Sequence, residues 1–136
     1  MITAVDTSVL LDVFTDAPGF GASSAEALRR CLREGTIIAC DVVWAETAAA
    51  FRDSAALERA MAQLGIAYSP LDRGAATEAG ELWAKYRAAG GPRVRVLADF
   101  LVAAHALRQA DRLLARDRGF YRRHFRKLAL LDPSAR

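Results

Sequence analysis

The sequence has few of the features that mark a secreted, membrane-bound or multidomain protein. Its 136 residues include two cysteines, four prolines and two histidines, and no repeat, low-complexity stretch or long linker divides them. No apolar run approaches the ~20 residues of a membrane-spanning helix, and neither a basic region nor a long apolar stretch follows Met1. With 53% hydrophobic residues, the chain is long enough for one compact core. We therefore expect a single domain over residues 1–136 that is cytoplasmic and has no membrane partner.

Cysteine and histidine are too few and too dispersed to form a zinc site or a disulfide framework. Cys31 and Cys40 lie in apolar segments, with no Cys-x-x-Cys pair or histidine-rich cluster near them. Such cysteines are typical of the reduced core of a cytosolic protein. His105 falls within a nearly all-apolar segment and is expected to be packed, whereas His124 stands among arginines and is expected at the surface.

Acidic residues are scarce in one part of the chain, although the net charge is only +3. Between Arg108 and Lys127, eight basic residues accompany two acids, Asp111 and Asp117. Such a region is typical of a surface that binds a polyanion, but ordinary solvated helix faces give the same composition. The composition alone leaves both interpretations open.

Short apolar runs alternate with amphipathic segments along the whole chain. The predicted strands cover residues 2–5, 36–40, 66–69, 112–116 and 128–131. The predicted helices cover residues 42–52, 74–89 and 97–110, with two more that are capped by Ser23 and Ser54 and end at Gly35 and Gly65. Ser23, with Glu26 three residues on, has the pattern of a capping box. Strands that alternate with helices predict an α/β fold whose central sheet is mostly parallel.

Acidic residues fall where a parallel sheet would bring them together, because ligands bind beyond the carboxyl ends of its strands. Asp6 and Asp117 directly follow predicted strands, and Asp99 lies in the first turn of an otherwise apolar helix. Glu46 points away from the apolar stripe of its helix, since it lies about 200° from Trp44. Each acid alone could be a helix cap or a solvated residue. Together they predict a cluster of carboxylates.

Such a cluster requires a cation to balance its charge. Without one, mutual repulsion would keep some of the carboxylates protonated near neutral pH. Mg²⁺ and Mn²⁺ prefer oxygen ligands and retain several waters. Because no histidine or cysteine is placed to form a zinc site, the sequence predicts a site for Mg²⁺ or Mn²⁺.

Four stretches of the sequence carry a resemblance to a known family. They are VDTSVLLD (5–12), VVWAETAAAF (42–51), LADFLVAAHAL (97–107), and LLARDRGFYRRHF with LALLDP (113–125 and 128–133). Together they resemble the PIN domain, and within it the VapC toxins of bacterial toxin–antitoxin pairs, over nearly the whole chain. The resemblance implies a three-layer α/β/α fold with a central, mostly parallel sheet.

The resemblance also implies a role for each site residue. The four catalytic acids of the family correspond to Asp6, Glu46, Asp99 and Asp117. Asp6 and Asp99 would be the main metal ligands, and Asp117 would help to hold the metal or its waters. Glu46 would orient or deprotonate the attacking water. Ser8 would support the Asp6 carboxylate through a hydrogen bond.

Function and partners follow from the same resemblance. It implies a Mg²⁺- or Mn²⁺-dependent ribonuclease that cuts tRNA or rRNA, forms a homodimer and is inhibited by a VapB-like antitoxin. The arginines expected to contact RNA phosphates are Arg93, Arg116, Arg118 and Arg122. Ala115 departs from the Thr or Ser that the family often has two residues before its last acid, which removes a supporting hydroxyl but no ligand.

Other readings of the sequence are weaker but distinct. A catalytically inactive PIN-type module that binds RNA or protein is one alternative, and an RNA-processing PIN nuclease that is not a toxin is another. A haloacid-dehalogenase-like phosphatase is disfavoured, because Ser8 stands where that chemistry requires a second aspartate.

Overall fold

A single five-stranded sheet forms the centre of the protein in the computed structural model, which describes residues 1–92 and 96–134. Its strands are β1 (Ile2–Val5), β2 (Thr36–Ala39), β3 (Ile66–Tyr68), β4 (Arg112–Leu114) and β5 (Leu130–Leu131). They lie in the order β3-β2-β1-β4-β5, and all four pairings are parallel. The α/β fold with a parallel sheet that the sequence predicts is thereby confirmed.

Helices connect the strands throughout the described part of the chain. They are α1 (Thr7–Phe14), α2 (Gly21–Glu34), α3 (Asp41–Ala48), α4 (Ser54–Gln63), α5 (Arg73–Ala88), α6 (Leu97–Gln109) and α7 (Phe120–His124). Crossovers between parallel strands are right-handed, so the connections from β1 to β2 and from β3 to β4 lie on opposite faces of the sheet. The result is the expected three-layer arrangement of helices, sheet and helices.

The core is continuous from the central strands into α6. Val5, Leu113 and Leu114 are fully buried, as expected for parallel strands that are covered on both faces. Helix α6 packs against β1 and β4, and its Phe100 and His105 are also inaccessible to solvent. This rigid central layer fixes the positions of the loops that follow β1 and β4.

Two predicted helix caps are wrong. Helix α2 begins at Gly21, before the predicted capping box, and Ser23 Oγ of that box donates to the Phe20 carbonyl at 3.1 Å. The neighbouring Ser24 Oγ donates to Asp12 Oδ2 at 2.9 Å. Helix α4 is capped by Asp53, whose carboxylate accepts the Ala56 N–H at 2.8 Å. The short polar side chain one residue earlier therefore sets the start of α4.

The predictions about cysteines and membrane segments can also be compared with the structure. Cys31 and Cys40 are buried and free, as expected for core residues. None of the helices in the described part of the chain has the length and apolar character that crossing a membrane requires.

Candidate active site

The candidate site lies where the strand order reverses. The chain leaves β1 towards β2 on one side and later returns to β4 on the other side. The crevice beyond the carboxyl ends of such strands is where ligands bind in open α/β sheets. Asp6 follows β1, and its backbone N–H donates to the Leu114 carbonyl at the end of β4 at 2.9 Å. Asp6 is thereby held at the mouth of this crevice.

Asp6 is fixed by hydrogen bonds on both carboxylate oxygens. Its Oδ2 accepts the Ser8 hydroxyl at 2.6 Å and the Ser8 N–H at 3.3 Å, so Asp6 is the N-cap of α1. The Tyr121 hydroxyl lies 3.5 Å from its Oδ1. The hydrogen bond from Ser8 is the one that the resemblance implies, whereas the approach of Tyr121 from α7 had no signal in the sequence.

The electrostatic environment of Asp6 favours a cation. Burial raises the pKa of the Asp6 carboxyl group above its ordinary value, and the hydrogen bonds from Ser8 oppose that rise. The negative charges of Glu46 and Asp99 raise this pKa further. These two acids therefore lie close enough to Asp6 to act on its charge, and a bound cation would relieve both effects.

Glu46 and Asp99 reach the site from two different helices. Glu46 is an exposed residue of α3, and its Oε1 accepts the Thr7 hydroxyl at 2.8 Å, which links it to the residue after Asp6. Asp99 is partly exposed in the first turn of α6, where its Oδ2 accepts the Val96 N–H at 3.2 Å. The structure thus brings three of the four predicted acids to one crevice.

Asp117 has a different environment from the other three acids. Its side chain is only 1% exposed, and its two oxygens accept the N–H groups of Tyr121 and Arg122, each at 3.1 Å. Asp132 in turn accepts the Asp117 N–H at 3.2 Å. Asp117 therefore anchors the beginning of α7, the helix that carries Tyr121 towards Asp6.

The donor set of the crevice fits a hard divalent cation that keeps part of its water shell. Among the described residues, no three His, Cys, Asp or Glu side chains form a group that could enclose a metal ion. Mg²⁺ is commonly bound by only one or two carboxylates and completes its octahedron with waters and substrate phosphates. The carboxylates of Asp6 and Asp99 carry oxygen atoms of the kind that such an ion binds.

The arginines predicted to contact RNA differ in how much of their charge is already paired. Arg116 makes a bidentate ion pair with the buried Asp12, at 2.6 and 3.0 Å, and its guanidinium lies 4.3 Å from the centre of the Phe20 ring. Its first role is therefore to tie the loop after β4 to α1. Asp12 and Arg116 are 104 residues apart in the sequence, so no local pattern reveals the pair.

The remaining predicted arginines lie nearer to solvent or outside the described residues. Arg122 donates to Asp132 at 3.1 Å but leaves about half of its side chain exposed, and Arg118 is exposed. Arg93 lies outside the described residues.

Two further polar residues, His105 and Asp41, lie buried or partly buried near the sheet. His105 is packed, as predicted, and its Nε2 lies 3.0 Å from Ser69 Oγ. Burial lowers the pKa of His105. Within the described residues, Asp41 Oδ1 is buried without a hydrogen-bond partner, and it sits in the first turn of α3, where the helix dipole favours negative charge.

The parallel sheet has the strand order β3-β2-β1-β4-β5, and acidic residues lie where that order reverses, between β1 and β4. These features place the protein among the α/β proteins with a candidate metal site at the carboxyl ends of the strands. A family model described as the PIN domain matches residues 3–126, and the chain therefore belongs to the PIN domain family. Comparison with curated proteins finds no significant match.

Several solved structures with the same fold are toxin–antitoxin proteins. VapBC2 from Rickettsia felis, bound to a promoter DNA fragment, is 19% identical with a TM-score of 0.74, over 97% of this chain and 98% of that chain. VapBC-1 from nontypeable Haemophilus influenzae is 18% identical with a TM-score of 0.75, over 99% and 100%. VapC20 of Mycobacterium tuberculosis, described as a sarcin–ricin loop cleaving toxin, is 16% identical with a TM-score of 0.62, over 88% and 93%. At these identities the likeness concerns the fold.

Proposed function

We propose that this protein is a metal-dependent ribonuclease that acts as the toxin of a toxin–antitoxin pair. The observation that carries the proposal is the buried carboxylate of Asp6, at the switch point of a PIN fold, with the charges of Glu46 and Asp99 beside it. An arrangement that raises the pKa of a carboxyl group in a cleft is costly without a ligand and is typical of functional sites.

In this proposal Asp6 and Asp99 hold Mg²⁺ or Mn²⁺. Such a cation, when bound, would lower the pKa of a water molecule and neutralise charge on the scissile phosphate. Ser8 keeps the Asp6 carboxylate in one orientation through the 2.6 Å hydrogen bond, which leaves the other oxygen turned towards Tyr121 and the crevice.

Glu46 is the proposed general base. It is exposed to solvent, and the hydrogen bond from Thr7 fixes one of its oxygens, so the other can accept a proton from the attacking water. Proton transfer by a positioned carboxylate contributes roughly 10²–10⁴-fold to a reaction of this kind.

Asp117 is proposed to act mainly through α7. Each of its oxygens accepts a backbone N–H, although a carboxylate has about four lone-pair sites and can accept further contacts from a metal-bound water shell. By holding α7, Asp117 sets the distance between Tyr121 and Asp6. Its loss should therefore affect both the site and the fold of the segment that follows β4.

The proposed substrate is cellular RNA, either tRNA or rRNA. The exposed arginines on and before α7, Arg118 and Arg122 among them, provide positive charge next to the acids. The VapC-like fold is shared with a toxin described as cleaving the sarcin–ricin loop, which supports a structured rRNA or tRNA loop as the target. Arg116 would contribute by shaping this surface through Asp12.

The proposed partner is a VapB-like antitoxin, and the proposed assembly contains a toxin homodimer. Proteins of this fold have been solved as VapBC complexes. A crevice with excess negative charge would attract an inserted arginine, because the guanidinium group pairs with carboxylates in a bidentate geometry. The inhibitor would thus compete with the metal near Asp6 and Asp99.

Expression without a partner tests the toxin function. We expect the wild-type chain, induced alone in a bacterial host, to arrest growth within a few generations and to fragment tRNA or rRNA in the same cells, because free enzyme attacks the cell's own RNA. Asp6→Ala should restore growth and intact RNA. Soluble wild-type protein that allows normal growth would contradict the toxin function. If the purified protein still cleaves RNA, the non-toxin nuclease is favoured; if it does not, the inactive binding module is favoured.

A further inference from the structure

An open cavity lies beside the candidate active site, between the end of α5, the turn at residues 89–92 and α7. It has a volume of about 480 Å³ and is lined by Lys85, Tyr86, Phe100, Arg123 and His124 together with the turn. None of the acids assigned to catalysis lines it. The cavity is therefore a separate feature that the hydrolytic chemistry does not explain.

The wall formed by the turn is firmly attached to α5. The Tyr86 hydroxyl donates to the Pro92 carbonyl at 2.8 Å, and the Gly91 N–H donates to the Tyr86 carbonyl at 2.9 Å. Gly91 lies directly against the aromatic ring, since a Cβ at this position would be 2.5 Å from Tyr86 Cζ. The cavity therefore has a defined shape at this end.

Aromatic rings form much of the remaining surface. The Tyr86 ring centre lies 5.3 Å from that of Phe100 and 5.2 Å from that of His124, which stands nearly perpendicular to it. Phe100 is buried, whereas His124 is exposed on α7. An aromatic cavity with one exposed ring offers a flat partner a surface for stacking.

The charge of the cavity is of one sign. Among the described residues that line it, Lys85 and Arg123 are cationic and none is acidic. A ligand that matches this lining has a flat apolar part and a negative group attached to it. A nucleotide has this composition.

The cavity also adjoins the catalytic acids in the chain. Phe100 directly follows Asp99, and His124 lies one turn of α7 beyond Tyr121, whose hydroxyl is 3.5 Å from Asp6. A strand of RNA with its scissile phosphate at the acids can therefore extend towards the cavity. Proteins that recognise RNA commonly stack unpaired bases on aromatic rings or arginine planes.

We propose that this cavity binds one unpaired nucleotide of the substrate RNA, next to the cleaved bond, and so contributes to the choice of cleavage site. Arg123 pairs with the phosphate and His124 stacks on the base. This inference rests on the proposed ribonuclease function and adds a subsite to it.

Cleavage of a short single-stranded RNA, with each nucleotide in turn replaced by an abasic one, tests the subsite. We expect one abasic position to raise KM for the wild-type protein by roughly tenfold, because stacking contributes on that scale. His124→Ala should remove the dependence on that position, and Arg123→Ala should raise KM for all the oligonucleotides with little change in kcat. Arg59→Ala, an exposed arginine on α4, is the matched control for loss of one charge.

Equal effects of abasic substitution in wild type and both variants, or no position-dependent effect in wild type, would overturn the subsite.

Binding of the same labelled oligonucleotides in EDTA, measured by fluorescence anisotropy, separates the two proposals. If the wild-type protein binds with the predicted positional preference but cleaves nothing with Mg²⁺ or Mn²⁺, the subsite stands and the nuclease function fails. If it cleaves RNA without any positional preference, the nuclease function stands and the subsite fails. Matched melting temperatures would show that the variants are folded.

Discussion

The charge of Asp6 in the candidate site lowers the stability of the protein. Its pKa is raised in the folded state by burial and by Glu46 and Asp99, so the native protein binds a proton more tightly than the unfolded chain does. The contribution of Asp6 to stability is therefore greatest at pH values below the ordinary pKa of an aspartate and is lost as the pH rises through the folded-state pKa. Above that pKa the metal-free protein carries the full cost of the buried charge.

Asp6→Asn should accordingly stabilise the metal-free protein. We expect a gain on the order of 1 kcal/mol at pH 7 in EDTA, or an increase in Tm of roughly 3–5 °C, because the amide still accepts the hydrogen bond from Ser8 but carries no charge. Differential scanning calorimetry at pH 7 and at pH 4 measures the effect, which should be smaller at the lower pH. A lower Tm for Asp6→Asn at pH 7 would show that the charge of the Asp6 carboxylate does not destabilise the fold.

Single residues also show what the sequence could and could not predict. Asp6 and Asp99 could be predicted as candidate site residues, because each residue adjoins an apolar run that can be recognised from neighbouring residues alone. The anchoring of α7 by Asp117 could not, because it requires knowing that the chain turns back immediately after β4. The pairing of Arg116 with Asp12 joins distant parts of the chain, and only the folded sheet brings them together.

At the level of elements, the junction between α2 and β2 depends on one glycine. Gly35 ends α2, and a Cβ at this position would lie 1.8 Å from the Met1 carbonyl oxygen. The same oxygen accepts the Thr36 N–H at 2.9 Å, where β1 and β2 begin to pair. The backbone cannot move away without disturbing the register of the central strands.

A pair of glycine substitutions tests this constraint. Gly35→Ala should lower the free energy of unfolding by about 2–4 kcal/mol, because the overlap is with backbone atoms. Gly80→Ala, within α5 and with nothing inside 4 Å of the added Cβ, should instead raise it by about 0.5–1 kcal/mol. Urea unfolding followed by circular dichroism measures both. An unchanged free energy of unfolding in Gly35→Ala would mean that the backbone at the junction can move to accommodate the added Cβ.

The sequence predicted which helices and strands exist more reliably than it predicted the residues at which they begin and end. The five strands and the buried α6 were found because each is a compact apolar run, whereas the caps of α2 and α4 were assigned to the wrong residues. The Ser23 hydroxyl donates to the Phe20 carbonyl while its neighbour Ser24 binds Asp12, and Asp53 rather than Ser54 caps α4. Local capping hydrogen bonds compete with tertiary hydrogen bonds, and the sequence alone does not show which of them forms.

For the molecule as a whole, topology gathers the site from the full length of the chain. Asp6, Glu46 and Asp99 come from the loops and helices that follow β1, β2 and β3, and they meet because parallel strands have their carboxyl ends at one edge. The basic residues near the end of the chain lie on the element that follows β4, so the negative site and the positive surface are neighbours. An acidic crevice beside a surface of positive charge is the arrangement that the proposed metal-dependent hydrolysis of RNA would use.

The rate of RNA cleavage by the purified protein as a function of Mn²⁺ concentration, for wild type and for Asp99→Asn, tests the central claim most directly. The asparagine keeps an oxygen that can accept the Val96 N–H at the start of α6, so the fold is preserved while a charged ligand is lost. We predict that wild-type cleavage rises with Mn²⁺ and stops in EDTA, and that Asp99→Asn cleaves at least about a hundredfold more slowly at the same Mn²⁺ concentration. Cleavage that persists in EDTA, or that is undiminished in Asp99→Asn, would contradict the claim that these carboxylates form a metal-dependent ribonuclease site.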